Sequence, residues 1–194
     1  EVELTDRTSG ERIGTENGDL LIAADGINST IRAALYPDEG PASWGGTMMW
    51  RGTTIGPRFR TGRTVAMIGE KKCKFVVYPI ADVGEDQSVL NWIADLTMPK
   101  DYDWRKQDWN REGTLGDFLP EFEGMGFDWL DVPQIIRDAQ GIYEFPMVDR
   151  NPLDQWTFGR ATLIGDAAHA MYPTGSNGAS QAIIDARTIG AFNA

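Results

Sequence analysis

The sequence predicts a mixed α/β fold, α+β overall, in which two strand–turn–helix units flank a run of antiparallel strands. Three observations predict it. Residues 161–187, ATLIGDAAHAMYPTGSNGASQAIIDAR, read as a short apolar strand, an acidic residue, a glycine-rich loop and a helix. Residues 19–35 show the same order in shorter form: the apolar run DLLIAA, then Asp25-Gly26, then a short helix. Between them, residues 45–96 carry strand formers with a turn signal roughly every ten residues, the spacing of an antiparallel sheet.

Composition bounds the rest. A chain of 194 residues holds one or two domains with a sizeable core. Its 41% hydrophobic and 24% charged content is that of a soluble globular protein. A net charge of −11 argues against nucleic acid and against anionic membrane surfaces as partners. Cys73 is the single cysteine, so no internal disulfide forms, and a reducing, cytoplasmic location is expected. No apolar run approaches the ~18 residues of a membrane span, and no signal peptide is visible. The chain opens on Glu1 rather than methionine and is expected to continue upstream. His169 is the single histidine, which excludes a metal centre built on several N and S ligands. No G-x-S-x-G nucleophile elbow and no G-x-G-x-x-G phosphate fingerprint occurs. No side chain is assigned a catalytic or metal-binding role.

In chain order, Val2 and Leu4 alternate with polar residues, and Gly10 and the Gly14–Gly18 region supply turns, giving strand, turn, strand. DLLIAA is a continuous apolar run suited to a buried strand. Ser29 caps a helix to Leu35, which Tyr36-Pro37 stops. Strands follow over 47–54, 63–68, 74–80 and 88–96. In the first of these, Met49 and Arg51 share one face, and Met48 and Trp50 the other. Parity leaves open which face packs. Trp104 and Trp109 lie in a polar segment and are expected to pack on the sheet. Residues 114–122 read as a helix capped by Thr114, with Asp117 in a capping-box position. Residues 129–139 read as another, interrupted by Pro133, and 142–148 as a returning strand.

The segment 161–187 carries the chemistry. Ser176 or Asn177 can cap its helix, whose apolar residues Ala179, Ala182, Ile183 and Ala186 fall at helical spacing. The first N–H groups of a helix have no partner inside it, and the preceding glycines let a ligand approach the backbone. Asp166, just past a strand end, is placed to accept hydrogen bonds from ligand hydroxyls.

Gly165-Asp166-Ala167-Ala168-His169, followed by Pro173, Gly178 and Asp185, resembles the GD motif of the FAD-dependent aromatic hydroxylases of the para-hydroxybenzoate hydroxylase type. Asp25-Gly26-Ile27-Asn28-Ser29-Thr30-Ile31-Arg32 resembles the same family's DG motif. Trp44–Gly52 and Tyr143–Arg150 are most similar to its phenazine and salicylate hydroxylase branch, which makes a fused aromatic acid one candidate substrate. The resemblance implies a partial FAD-binding Rossmann-like domain, residues 1–44 and 149–194, with an inserted antiparallel-sheet substrate domain, 45–148. The glycine fingerprint for the ADP phosphates is then expected upstream of Glu1, and the 194 residues alone are expected neither to hold FAD tightly nor to turn over. Asp25, Gly26, Ser29 and Arg32 are implied at the FAD pyrophosphate; by composition, Arg32 also reads as a solvated helix arginine. Gly165, Asp166, Pro173, Gly175, Asn177, Gly178 and Ala179 are implied at the flavin half, and Met49, Arg51, Tyr78, Met147 and Tyr172 at the aromatic substrate. His169 is expected to hold its turn by hydrogen bonding. The implied reaction uses NADH or NADPH and O₂ and hydroxylates the ring through a flavin C4a-hydroperoxide. A halogenase or reductase on the same fold, and a non-catalytic binding module, remain as alternatives.

Overall fold

The computed structural model describes residues 1–104 and 110–192, so Trp109 lies outside the described residues. Its contacts separate two compact units, Glu1–Ser43 with Val148–Ala194, and Trp44–Met147.

The first unit opens with a hairpin of β1 (Val2–Thr5) and β2 (Arg12–Glu16). β3 (Leu21–Ala23) and the helix α1 (Thr30–Leu35) follow. Ser29 caps α1 with its hydroxyl, which accepts from the Arg32 N–H at 2.9 Å. DLLIAA forms a shorter and more open strand than its apolar run predicts. Only Ala23 is buried, because β3 is an edge strand that leaves Leu20 and Ile22 exposed.

The second unit is built on β4 (Ser43–Pro57), β5 (Ala66–Gly69), β6 (Cys73–Val83) and β7 (Gln87–Thr97). Their pairings are antiparallel, with β4 against β7, β7 against β6 and β6 against β5. A two-stranded ribbon of β8 (Gly126–Phe127) and β9 (Leu130–Asp131) leads into α2 (Val132–Arg137). β10 (Ile142–Asp149) then joins the sheet beside β4, giving the order β10-β4-β7-β6-β5.

Two helix expectations are corrected here. Residues 114–122 form two 3₁₀ turns, Leu115–Asp117 and Leu119–Phe122, and Thr114 makes no side-chain cap. Pro120 at the start of the second turn has no N–H to continue one helix. Pro133 opens α2 instead of interrupting it, in the first turn where its missing N–H costs nothing, with Asp131 as the cap.

The core lies on one face of this sheet. Met48, Trp50, Phe75, Val77, Leu90 and Trp92 are buried there with Phe118, Phe122 and Ile136 from the turns and α2. Trp50 stacks on Phe118 with ring centroids 4.7 Å apart. Trp92 Nε1–H donates to Thr54 Oγ1 at 3.1 Å, and that hydroxyl donates to the Ile135 carbonyl at 2.7 Å, so these two buried side chains are satisfied. Trp104 is half-buried and stacks on Trp44 at 5.6 Å. Packing therefore settles what parity left open: Trp50 faces the core, and Met49 and Arg51 face away from it.

The chain returns to the first unit through β11 (Thr157–Phe158) and β12 (Ala161–Leu163), which pairs in parallel with β3. The short helix α3 (Asp166–His169) and α4 (Gly178–Phe192) complete it. The apolar side of α4 is not covered: Ile183 and Ile184 are 68% and 53% exposed. Among the described residues, no helix is long and apolar enough to cross a membrane.

Gly52 is required by the core packing. A Cβ built there would lie 2.4 Å from the Trp92 ring and 2.9 Å from the Gly141 carbonyl oxygen. Gly52→Ala should therefore destabilise the protein by about 1–3 kcal/mol through overpacking. Urea denaturation with an unchanged midpoint would contradict this.

Candidate functional site

The two glycine turns of the first unit are joined by one side chain. Arg32 leaves α1 and is 1% exposed. Its Nη1 donates to the carbonyls of Ala167 at 3.0 Å and Ala168 at 2.8 Å. Nη2 donates to the Asn151 carbonyl at 3.0 Å and to Glu39. Nε donates to Glu39 Oε2 at 2.8 Å. A guanidinium has five N–H donors, so none remains for a ligand. Arg32 is thus neither the pyrophosphate contact nor the solvated arginine that its motif and composition offered. It is an internal tie between α1 and α3. Glu39 also accepts from Arg150 Nη1 at 3.1 Å, and Arg150 Nε donates to the Ile27 carbonyl at 2.8 Å. The Arg32 hydrogen bonds, opposed in part by burial, hold the Glu39 carboxyl below its ordinary value, with Arg150 adding to the effect.

Neighbouring residues of the first motif are also committed to the fold. Gly26 takes φ +79°, and its carbonyl accepts from Ser29 N–H at 2.9 Å. Asp25 is exposed, and its Oδ2 accepts from Thr30 N–H at 2.8 Å, bracing the start of α1. Ser29 is buried as the cap.

The second motif is held from behind. Gly165 takes φ +55° and donates its N–H to Asp185 Oδ2 at 2.9 Å. His169 Nε2 lies 2.7 Å from the same oxygen, and the Trp156 ring sits 5.1 Å from the imidazole. Asp185 of α4 thereby fixes both ends of α3. Asp166, the first residue of α3, is exposed, and its carboxylate has no partner among the described residues. A Cβ on Gly178 would come within 3.9 Å of Asp166 Oδ1, so the carboxylate lies beside the start of α4. Pro173 and Gly175 form an exposed 3₁₀ turn, and Ser176 follows in the left-handed region at φ +53°. The Asn177 carbonyl accepts the Gln181 N–H at 2.9 Å, so α4 begins there. The N–H groups of Gly178 and Ala179 have no acceptor inside the helix. An acceptor carboxylate beside unspent backbone donors suits a ligand that carries both hydroxyls and an electron-rich edge.

On the second unit, the sheet face away from the core carries three of the substrate candidates. Thr53, Asn91 and Tyr78 form one cross-strand row, Arg51, Ile93 and Val76 the next, and Met49, Asp95 and Lys74 the third. A cavity of about 420 Å³ is lined by Arg51, Thr53, Asn91, Gln140, Tyr143 and Phe145, among others. Met147 lies in β10, while Tyr172 belongs to the first unit. Burial and the negative charge of Asp149 push the Tyr172 phenol up, so it stays a donor at neutral pH. Glu39, Asn91 and Gln140 were not singled out from the sequence. Glu39 reads there as a solvated residue of a Pro-Asp-Glu-Gly turn, and Asn91 is marked only by its register opposite Thr53.

Residues 130–191 match a protein-family model described as FAD binding domain. The chain is 38% identical over 188 residues to the phenazine 1,6-dicarboxylic acid hydroxylase PhzS of Lysobacter antibioticus, across 95% of this chain and 46% of that protein. The chain is a relative of the FAD-dependent aromatic monooxygenases. It is also 30% identical to a salicylate hydroxylase of Pseudomonas putida over 190 residues, 89% of this chain and 43% of that one. A similar fold occurs in the crystal structure of Klebsiella pneumoniae HpxO complexed with FAD and uric acid, at a TM-score of 0.68 and 21% identity over 95% of this chain and 44% of that one. The chain spans about half the length of the relatives it matches.

Replacing Arg32 by methionine should cost about 3–5 kcal/mol, because Glu39 loses its main buried partner and two carbonyls lose their donors. The pH response follows from Glu39. Its folded carboxyl lies below the ordinary value of 4.5, so its contribution is complete above that value and is lost as pH falls through the lower folded one. Urea denaturation in the acid range should show this slope in the wild type and a weaker one in Arg32→Met. Equal slopes would reject the tie.

Proposed function

We propose that the protein is an FAD-dependent monooxygenase that consumes NADH or NADPH and O₂ and hydroxylates an aromatic substrate. The observation that carries this reading is the exposed, unpartnered Asp166 carboxylate beside the start of α4, inside the segment that matches an FAD binding domain. The donor set fits the group. Asp166 would accept from cofactor hydroxyls, as a carboxylate at a strand end does. The N–H groups of Gly178 and Ala179 would favour electron density at the flavin edge, and the absence of a Cβ at Gly178 leaves the backbone open to it. Gly165, Pro173, Gly175 and Asn177 would shape the same loop. Asp25 and Gly26 would border the cofactor through the turn they form, with Ser29 and Arg32 acting behind it.

When bound, the flavin supplies the redox chemistry, accepting hydride from the nicotinamide and activating oxygen. The chain's own residues orient and hold. Asp185 and His169 keep Gly165 and Asp166 in place, and Arg32 keeps α3 against α1. In this reading Glu1–Ser43 and Val148–Ala194 form the cofactor unit and Trp44–Met147 the substrate unit. Met49, Arg51, Tyr78 and Met147 serve the substrate from the sheet; within the first unit, the substrate candidate Tyr172 keeps a neutral phenol.

Asp166→Ala should weaken FAD retention by roughly ten- to a hundredfold, the loss of one charge-assisted hydrogen bond. Flavin absorbance after gel filtration and titration of flavin fluorescence read this directly. NADH- or NADPH-dependent oxygen uptake with an aromatic acid tests the activity itself. Equal flavin affinity in variant and wild type would remove the role of Asp166.

A further inference from the structure

Asn17 and Asn177 are the two asparagines that a glycine follows. Asn177 immediately precedes α4, in a loop whose tight course is set by the Pro173–Gly175 turn and by Ser176 at φ +53°. Its side chain is exposed and makes no hydrogen bond among the described residues. Its Nδ2 would lie 3.0 Å from a Cβ placed on Gly175, so the amide sits over that glycine, and the missing Cβ leaves it room to turn. The next backbone nitrogen, that of Gly178, stands outside the ladder of α4, because the first bond of the helix runs from the Gln181 N–H to the Asn177 carbonyl. Gly178 has no Cβ to hinder the approach of that nitrogen to the Asn177 side chain. Asn28, Asn91 and Asn151 each lack one of these conditions. Asn28 precedes the buried Ser29, Asn91 lies within β7, and Asn151 precedes Pro152, which has no N–H.

We propose that Asn177 is a deamidation site of the flavin-free chain, and that its conversion weakens cofactor binding by this loop. The deprotonated Gly178 nitrogen attacks Asn177 Cγ, the Cγ–Nδ2 bond breaks, and the amide nitrogen leaves as ammonia with the proton. The product is a cyclic imide shared by the two residues. Water opens it at either carbonyl and gives aspartate or isoaspartate. One water is consumed and one ammonia released, with no oxidant or cofactor. Both products set a carboxylate at the start of α4, beside Asp166, whose Oδ1 lies 3.9 Å from where a Gly178 Cβ would be. Isoaspartate also routes the main chain through the side chain. The consequence for binding rests on the FAD reading, in which the Gly178 N–H faces the electron-rich edge of the flavin. Bound flavin then occupies the attacking group, whereas in its absence the reaction adds a negative charge that repels the cofactor. Loss of flavin is thereby written into the covalent structure.

Cleavage after arginine releases residues 161–187 as one peptide, in which Asn177 is the only asparagine. The whole chain is held at alkaline pH without flavin, and this peptide is followed by mass spectrometry and by enzymatic methylation of isoaspartate. It should gain one mass unit and become a methyl acceptor, at a rate comparable to that of a synthetic 173–181 peptide. The rate should rise with pH, since the nitrogen attacks after losing its proton. Gly178→Ala should suppress conversion over the same interval, and circular dichroism confirms that both chains are folded. A folded chain whose 161–187 peptide keeps its mass while the synthetic peptide converts overturns the proposal, and so does conversion of Gly178→Ala at the wild-type rate. Titration of flavin fluorescence tests the consequence. Asn177→Asp, which carries the charge of the product, should bind FAD about tenfold more weakly than the wild type, and saturating FAD should protect Asn177. Conversion of Asn177 with equal FAD affinity in Asn177→Asp overturns the consequence and the cofactor reading of this loop, and leaves the modification standing. Weaker FAD binding by Asn177→Asp without conversion in the wild type does the reverse.

Discussion

The buried guanidinium of Arg32 is the constraint on which the first unit depends. Taking a charge out of water costs several kcal/mol, so it is tolerated only where all of its donors are met and a counter-ion is present. Here Glu39 supplies the charge, and three carbonyls supply the remaining acceptors. Two of those carbonyls belong to α3, so satisfying Arg32 and positioning the Gly165–Asp166 turn are a single event. Arg150 joins through Glu39 and through the Ile27 carbonyl, which links the chain's return from the sheet to the first glycine turn. Breaking one member leaves the others buried and unpaired, so the network behaves as a unit.

Asp185 braces the second turn as well, from α4. One oxygen meets both the Gly165 N–H and His169 Nε2. A glycine at φ +55° and a four-residue helix have little stability of their own, and the carboxylate from α4 supplies what local structure lacks. The division of labour among the acidic residues follows: Glu39 and Asp185 are spent on the scaffold, whereas Asp166 is left exposed.

The sheet unit rests on a different kind of constraint, the volume of two tryptophans. Trp50 and Trp92 fill the space under the 3₁₀ turns and α2, and Gly52 is where the backbone yields to the Trp92 ring. With that face filled by apolar groups, Arg51 and Asn91 are turned to the other by the two-residue period of the strands. The cavity they line is thus a consequence of where the tryptophans pack.

Much of this was legible in the sequence because the signals are local. Strand alternation through 47–54, 74–80, 88–96 and 142–148, and the Ser29 cap of α1, depend on residues two to four positions apart. The motifs around Asp25 and Asp166 were visible for the same reason. Prolines were misread where their effect depends on position in a turn: Pro120 divides a helix and Pro133 begins one. What only the tertiary structure decided were matters of partnership and of facing. The carbonyls that satisfy Arg32 lie 119 to 136 residues away in sequence, beyond any periodicity. Its motif therefore marked it for a ligand, while the fold consumed it. The choice of core face in β4 rested likewise on which side the remote aromatic residues Phe118 and Phe122 could fill. By itself the sequence determined the elements and the residues able to do chemistry. Packing and hydrogen-bond satisfaction, which are set by residues far apart in the chain, decided which of those residues remain free to do it.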